Sequence, residues 1–166
     1  MADDGSIPCR LHWRTIQAQA PLQAISETFA RRRSPSILGA NPAVIDSSGL
    51  SYWAAEPREI FEFPAEQTNP FPQLQGVLGR YRLAEGCSDP HRMGLPSSMF
   101  AGGWIGYFSY ELGRHIERLP KRAVDDLHLP LIRLCFYDRF LTYDHRSGVF
   151  WAVALEMPDD TETPAD

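Results

Sequence analysis

The stretch Ala101–Arg114, AGGWIGYFSYELGR, constrains this chain most, because four glycines interleave with four aromatic residues where a core strand is expected. Glycine weakens a strand unless another backbone approaches closely or the strand bends. The aromatics at positions 104, 107, 108 and 110 each offer on the order of 150–250 Å² for burial. Together they predict a packed strand whose glycines leave room for a neighbouring element, and a partner domain is one candidate for that room.

Around this segment the pattern is one of short strands with two helices. Arg10–Ile16 alternates as a strand, and Pro21–Arg33 sets Leu22, Ile25 and Phe29 at helical spacing behind a proline suited to a first turn. Pro42–Ser47, Ser51–Ala55 and Arg58–Phe63, separated by Gly49 and Pro57, predict a meander of strands. Phe71, Leu74, Val77, Leu78 and Tyr81 fit one helical face and predict a second helix over Pro70–Leu83. Cys87–Ser98 is a loop and Lys121–Asp126 a polar connection. Leu131–Asp144 and Val149–Glu156 are two β-rich runs joined as a hairpin across His145–Gly148. Consecutive strands with few helices give an α+β class with a mainly antiparallel sheet.

A length of 166 residues suits one domain. Residues 1–8 are small and polar and predict a disordered start, 9–156 the folded domain, and 157–166, with four acids and two prolines, an acidic linker or tail. Such an end is expected to lead to a further domain. No apolar run approaches the roughly 18–20 residues of a membrane span, and the acidic start lacks a secretory pattern, so a cytoplasmic protein is expected. A net charge of −5 argues against a nucleic-acid partner. Arg31–Arg33 is the local exception, placed to complement a helix C-terminus. Cys9, Cys87 and Cys135 are odd in number and far apart, which predicts free thiols.

No catalytic pattern stands out. The five histidines lack metal-ligand spacing, and Cys9 and His12, three apart, face opposite sides of a strand. Asp125 and Asp126 fall in a polar connector. Asp138 and Asp144 share a face if their strand is regular, and Asp138 is expected to pair with Arg133 or Arg139. Ser109 lacks a nucleophile-elbow frame. Gly102, Gly103 and Gly106 are not a phosphate loop, because no Lys-Ser/Thr and no helix is expected directly after them. On its residues alone the chain is expected to be non-catalytic.

The segment Gly102-Gly-x-x-Gly106-Tyr107-x-x-Tyr110-Glu-x-Gly113-Arg114 resembles a motif in the N-terminal region of chorismate-utilising synthases, aminodeoxychorismate synthase component I and anthranilate synthase component I. Pro42–Ser47, Gly49–Pro57, Asp126–Pro130 and Phe136–Asp138 resemble further motifs of that family, in the same order. The resemblance implies the N-terminal portion of an anthranilate synthase component I-like four-layer fold. It also implies a C-terminal chorismate-binding domain, with Mg²⁺, that carries the chemistry and whose segments are not found here, and a glutamine amidotransferase that supplies ammonia. The same resemblance implies a tryptophan pocket at Asp46, Ser47, Ser48, Gly49 and Leu50, although Gly49-Leu50 stands where the family has Arg-Tyr. A plain strand-to-turn is the competing reading of those residues. The short Ser47–Ser51 connection and the Tyr-Glu-Leu-Gly-Arg114 ending look more like the aminodeoxychorismate enzyme, on the route to p-aminobenzoate and folate. Three readings follow: a scaffold and regulatory domain of such an enzyme, a stand-alone binding module, and a self-associating domain with its glycine-aromatic face exposed.

Overall fold

A computed structural model describes residues 5–39, 49–84, 94–96, 99–118 and 126–159. The strands are β1 (Ile7–Ile16), β2 (Ser36–Leu38), β3 (Leu50–Ala54), β4 (Glu59–Phe63), β5 (Tyr81–Leu83), β6 (Gly103–Phe108), β7 (Ile132–Tyr137), β8 (Arg139–Asp144) and β9 (Val149–Glu156). The helices are α1 (Leu22–Ala30) and α2 (Pro70–Leu78), and a 3-10 helix spans Tyr110–His115. One sheet runs β2-β3-β8-β9-β1-β5 and the other β4-β7-β6; among the described residues only β1 and β5 pair in parallel. This is the α+β, mainly antiparallel class expected.

The predicted hairpin is present, with Asp144 opposite Val149. Its first arm differs from expectation. Leu131–Asp144 reads as one β-rich run, yet it breaks at Asp138 into β7 and β8, which belong to different sheets. The core lies between those sheets: Leu11, Ala54, Phe140, Val153 and Leu155 from the larger meet Cys135, Phe136 and Tyr137 from β7. A second cluster forms around Phe63, Leu112, Ile132 and Leu134, and Trp104 packs against both.

Three more local readings are corrected. The second helix stops at Leu78 rather than Leu83, where Gly79 closes it through its N–H to the Gln75 carbonyl. Tyr81 then leaves the helical face to stack on Phe136, with ring centroids 3.8 Å apart, and β5 runs beside β1. Burial, then the hydrogen bond to Glu59 and its charge, push the Tyr81 phenol up to about 12. Tertiary packing here outweighs a helical pattern weakened by glycine. The meander is also replaced: β3 pairs with β2 and β8, and β4 crosses to β7 in the other sheet, the chain turning at Glu56, whose φ is 55°, and Pro57. Finally, β1 begins at Ile7, inside the stretch expected to be unordered. The Pro42–Ser47 strand, the Cys87–Ser98 loop as a whole and most of the Lys121–Asp126 connection lie outside the described residues.

The glycine-aromatic segment is part strand and part 3-10 helix, where no helix was expected. The Ser109 hydroxyl caps that helix by accepting from the Glu111 N–H at 3.3 Å. Room left by the glycines is filled from within the chain. A Cβ on Gly106 would run into the Arg133 carbonyl and lie 2.8 Å from Leu134 Cα, while one on Gly102, at φ +104°, would lie 2.6 Å from Leu155 Cδ1. Trp104 and Tyr107 are half-buried, but Phe108 and Tyr110 are 54 % and 81 % exposed, contrary to the burial expected of them.

Two glycines give a paired test. Gly106→Ala must push β6 off the β7 backbone and is expected to destabilise by about 1–3 kcal/mol or more. Gly76→Ala adds a methyl to an α2 position with nothing within 4 Å, and is expected to stabilise by roughly 0.5–1 kcal/mol. Thermal melts of both variants check the opposite signs.

Candidate functional site

Of the residues assigned to a small-molecule loop, Asp46, Ser47 and Ser48 lie outside the described residues, Gly49 directly precedes β3 and Leu50 opens it. What surrounds them is a polar network. The Gly49 carbonyl accepts the His145 N–H at 3.1 Å, and Ser51, fully buried, donates its hydroxyl to the Gly39 carbonyl at 2.8 Å. His145 Nε2 lies 2.8 Å from the same Ser51 oxygen. A serine hydroxyl has one proton. Since that proton is spent on Gly39, Nε2 must be the donor to Ser51, which fixes the imidazole tautomer. The Tyr143 ring meets the imidazole edge-on at 4.8 Å.

This geometry defines what the network can do. A serine activated as a nucleophile gives its proton to the histidine; here the bond runs the other way and the hydroxyl is inaccessible. The pair holds the Gly39 and Gly49 ends of the segment between β2 and β3 against the β8–β9 turn. That turn is itself organised by Asp144, whose carboxylate accepts from the Arg146 N–H at 2.9 Å and the Ser147 hydroxyl at 2.7 Å. Burial is the largest single influence on Asp144 and acts upward, but the bonds from Ser147 and Arg146 together hold its carboxyl below the usual value.

The remaining candidates are dispersed. Asp138 sits between strands, pairs with Arg58 at 3.5 Å rather than with Arg133 or Arg139, and lies at the opposite end of β8 from Asp144. Arg133 is paired with Glu62 instead. Cys9 is buried and His12 exposed and bound to Glu156 at 2.9 Å, on opposite faces as expected. Cys9 and Cys135 are free thiols; Cys87 lies outside the described residues. Gly113 and Arg114 sit in the 3-10 helix, where Arg114 pairs with Glu111 at 2.5 Å. Ser51 and His145, 94 residues apart, carry no shared motif; the only sequence sign of either was the position of His145 in a turn.

Comparison with known proteins defines the class. The family model described as chorismate binding enzyme matches residues 40–165, and the chain belongs to that family. It is 36 % identical over 110 residues to anthranilate synthase component 1 of Acetivibrio thermocellus, covering 66 % of this chain and 20 % of that protein. It is 34 % identical over 148 residues to anthranilate synthase component 1 of Mycobacterium tuberculosis, covering 86 % and 27 %. Aminodeoxychorismate synthase component 1 of Bacillus subtilis is 36 % identical over 64 residues, covering 39 % of this chain and 14 % of that protein. The chain thus spans between a fifth and just over a quarter of the length of the first two relatives. Among the described residues no helix is long and apolar enough to cross a membrane.

Two outcomes follow from the network. Ser51→Ala strands both the Gly39 carbonyl and His145, a loss of about 1–3 kcal/mol, seen as a lower melting temperature. Asp144 has a lowered carboxyl, so its stabilisation is present above the ordinary value of 3.8 and is lost as pH falls through and below it. The melting-temperature gap between wild type and Asp144→Ala should therefore be widest near neutrality and close on acidification, in thermal melts run as a pH series.

Proposed function

We propose that this chain is the bracing, non-catalytic N-terminal part of a chorismate-aminating synthase, of the aminodeoxychorismate synthase component 1 kind. The observation that carries the reading is the glycine-aromatic segment. Its inner half packs closely, Gly106 against the β7 backbone and the half-buried Trp104 against both hydrophobic clusters, while Phe108 at the end of β6 and Tyr110 at the start of the 3-10 helix face solvent beside an edge of the three-stranded sheet among the described residues. An exposed aromatic pair beside an open strand edge is suited to seat another folded element. That element is the chorismate- and Mg²⁺-binding remainder of the synthase, completing a four-layer body, and a glutamine amidotransferase supplies its ammonia. The candidate reactive groups support the same reading, because Ser51, Asp138 and Asp144 are all held in structural bonds.

The wider match to anthranilate synthase component 1 favours a second reading, in which the segment before β3 contributes to a tryptophan feedback pocket. The product formed distinguishes the two enzymes.

With chorismate, ammonium and Mg²⁺, the chain alone is expected to form neither 4-amino-4-deoxychorismate nor anthranilate. A separately expressed catalytic remainder of the same synthase should restore 4-amino-4-deoxychorismate, followed by chromatography. Phe108→Ser combined with Tyr110→Ser should abolish that rescue. Turnover by the chain alone overturns the proposal, and anthranilate as the restored product moves it to the second reading.

A further inference from the structure

An open groove of about 950 Å³ lies on the outer face of the six-stranded sheet, where the short α1 leaves β8, β9 and β1 uncovered. Strand register sets its floor. Arg139 on β8 and His12 on β1 both stand opposite Ala154, and Leu141 and Arg14 both stand opposite Ala152, so β9 contributes two short side chains between longer ones. The result is a trough that follows β9.

Five arginines line the trough, Arg14, Arg32, Arg33, Arg58 and Arg139, against two acids, Glu56 and Asp138, a balance of +3 within a protein of net −5. Those acids are already committed, Glu56 to Arg32 at 3.3 Å and Asp138 to Arg58 at 3.5 Å, and His12 is held by Glu156 at 2.9 Å. Among the described residues no salt bridge neutralises the exposed Arg14 and Arg139. β9 itself leads to acids that match this charge. The segment Asp160-Thr-Glu-Thr-Pro-Ala-Asp166, outside the described residues, holds three acids and no base. Before it, the buried Met157 fixes the end of β9 in the core, and a 3-10 turn at Pro158 and Asp159 takes the chain off the strand axis. Seven residues reach up to roughly 23 Å, whereas the way back along β9 from Glu156 to Ala152 is only about 14 Å.

We propose that the chain's own acidic segment, Asp160–Asp166, docks in this groove, with Asp160 facing Arg139 and Glu162 facing Arg14. Residues two apart in an extended segment point the same way, and each guanidinium offers paired N–H donors to a carboxylate fork. The order follows from the register: Arg139, opposite Ala154, stands nearer the exit of β9 than Arg14, opposite Ala152. Exposed ion pairs are individually weak. A tethered segment, however, meets its site at an effective concentration on the order of millimolar, so a few such pairs acting together hold it. The assignment does not rest on the chorismate reading; it needs only this sheet face and this acidic segment.

NMR spectra of the full 166-residue chain, compared with those of a form ending at Asp159, test it. At low salt, removal of the segment should move the Ala152 and Ala154 amides and the Arg14 and Arg139 Nε–H signals, and about 1 M salt, where the screening length falls to roughly 3 Å, should bring the two spectra together. Asp160→Asn, Glu162→Gln and Asp166→Asn combined should reproduce the shortened chain's signals at these four residues. Arg14→Gln combined with Arg139→Gln should remove the Ala152 and Ala154 differences, and the neutral-segment variant carries the test alone if that double variant does not fold. Arg82→Gln, an exposed change on β5 away from the groove, should keep the full difference. Identical groove signals with and without the segment, differences located elsewhere, or differences that survive high salt or the neutral segment would each overturn the proposal. Shifts that grow with protein concentration would overturn it too, giving the groove to the segment of a second copy.

Discussion

The two sheets hang on the corner at Tyr137 and Asp138. Only Asp138 separates β7 from β8, so the chain passes from the middle of one sheet to the middle of the other within a single residue. Tyr137 is 1 % exposed, and burying a phenol requires partners for its hydroxyl. It donates to the Ser34 carbonyl at 2.6 Å and accepts from the Ser36 hydroxyl at 2.9 Å, which ties the entry to β2 to the corner. Burial pushes its ionisation up, against the opposing influence of the Ser36 bond. The backbone completes the joint: the Phe136 carbonyl accepts from the Arg58 N–H at 2.9 Å and the Asp138 carbonyl from the Leu155 N–H at 2.7 Å. Both sheets therefore take their relative position from one bend, and the core of Phe136, Phe140 and Leu155 forms in the angle it leaves.

That corner also explains the division of labour inside the glycine-aromatic segment. β7 is buried along nearly its whole length, so β6 can join it only by close backbone approach, and Gly106 permits the approach beside the Arg133 carbonyl. Trp104 then reaches Phe136, with ring centroids 5.3 Å apart, and links the two hydrophobic clusters. Beyond Tyr107 there is no further sheet to bury against among the described residues, and Phe108 and Tyr110 turn outward. The same motif thus anchors one end of the fold and displays the other.

What the sequence revealed follows from how local each cause is. Alternation in Arg10–Ile16, Ser51–Ala55 and Val149–Glu156 and the apolar spacing in α1 each reflect a single face, and each reads directly. The β7–β8 break does not, because Tyr137 and Asp138 continue the apolar alternation and only distant partners, Ser34, Arg58 and Leu155, make the bend. β2 and β5 are three residues long, too short for a period to show. The polar network was half legible: turn chemistry around Asp144 and Gly148 is local, whereas Ser51 meets His145 only through the pairing of β3 with β8.

Among the described residues, Ser51, Asp138 and Asp144 are engaged in bonds that hold shape. For Ser51 to attack a substrate it would have to leave the Gly39 carbonyl, reverse its bond with His145 and reach solvent, each step giving up a satisfied buried bond worth about 1–3 kcal/mol once broken. Asp138 is bound to the cation that positions the β4 entry, and Asp144 to the turn that closes the hairpin. A general base needs a free lone pair within reach of a substrate proton, and these carboxylates direct theirs at the chain itself.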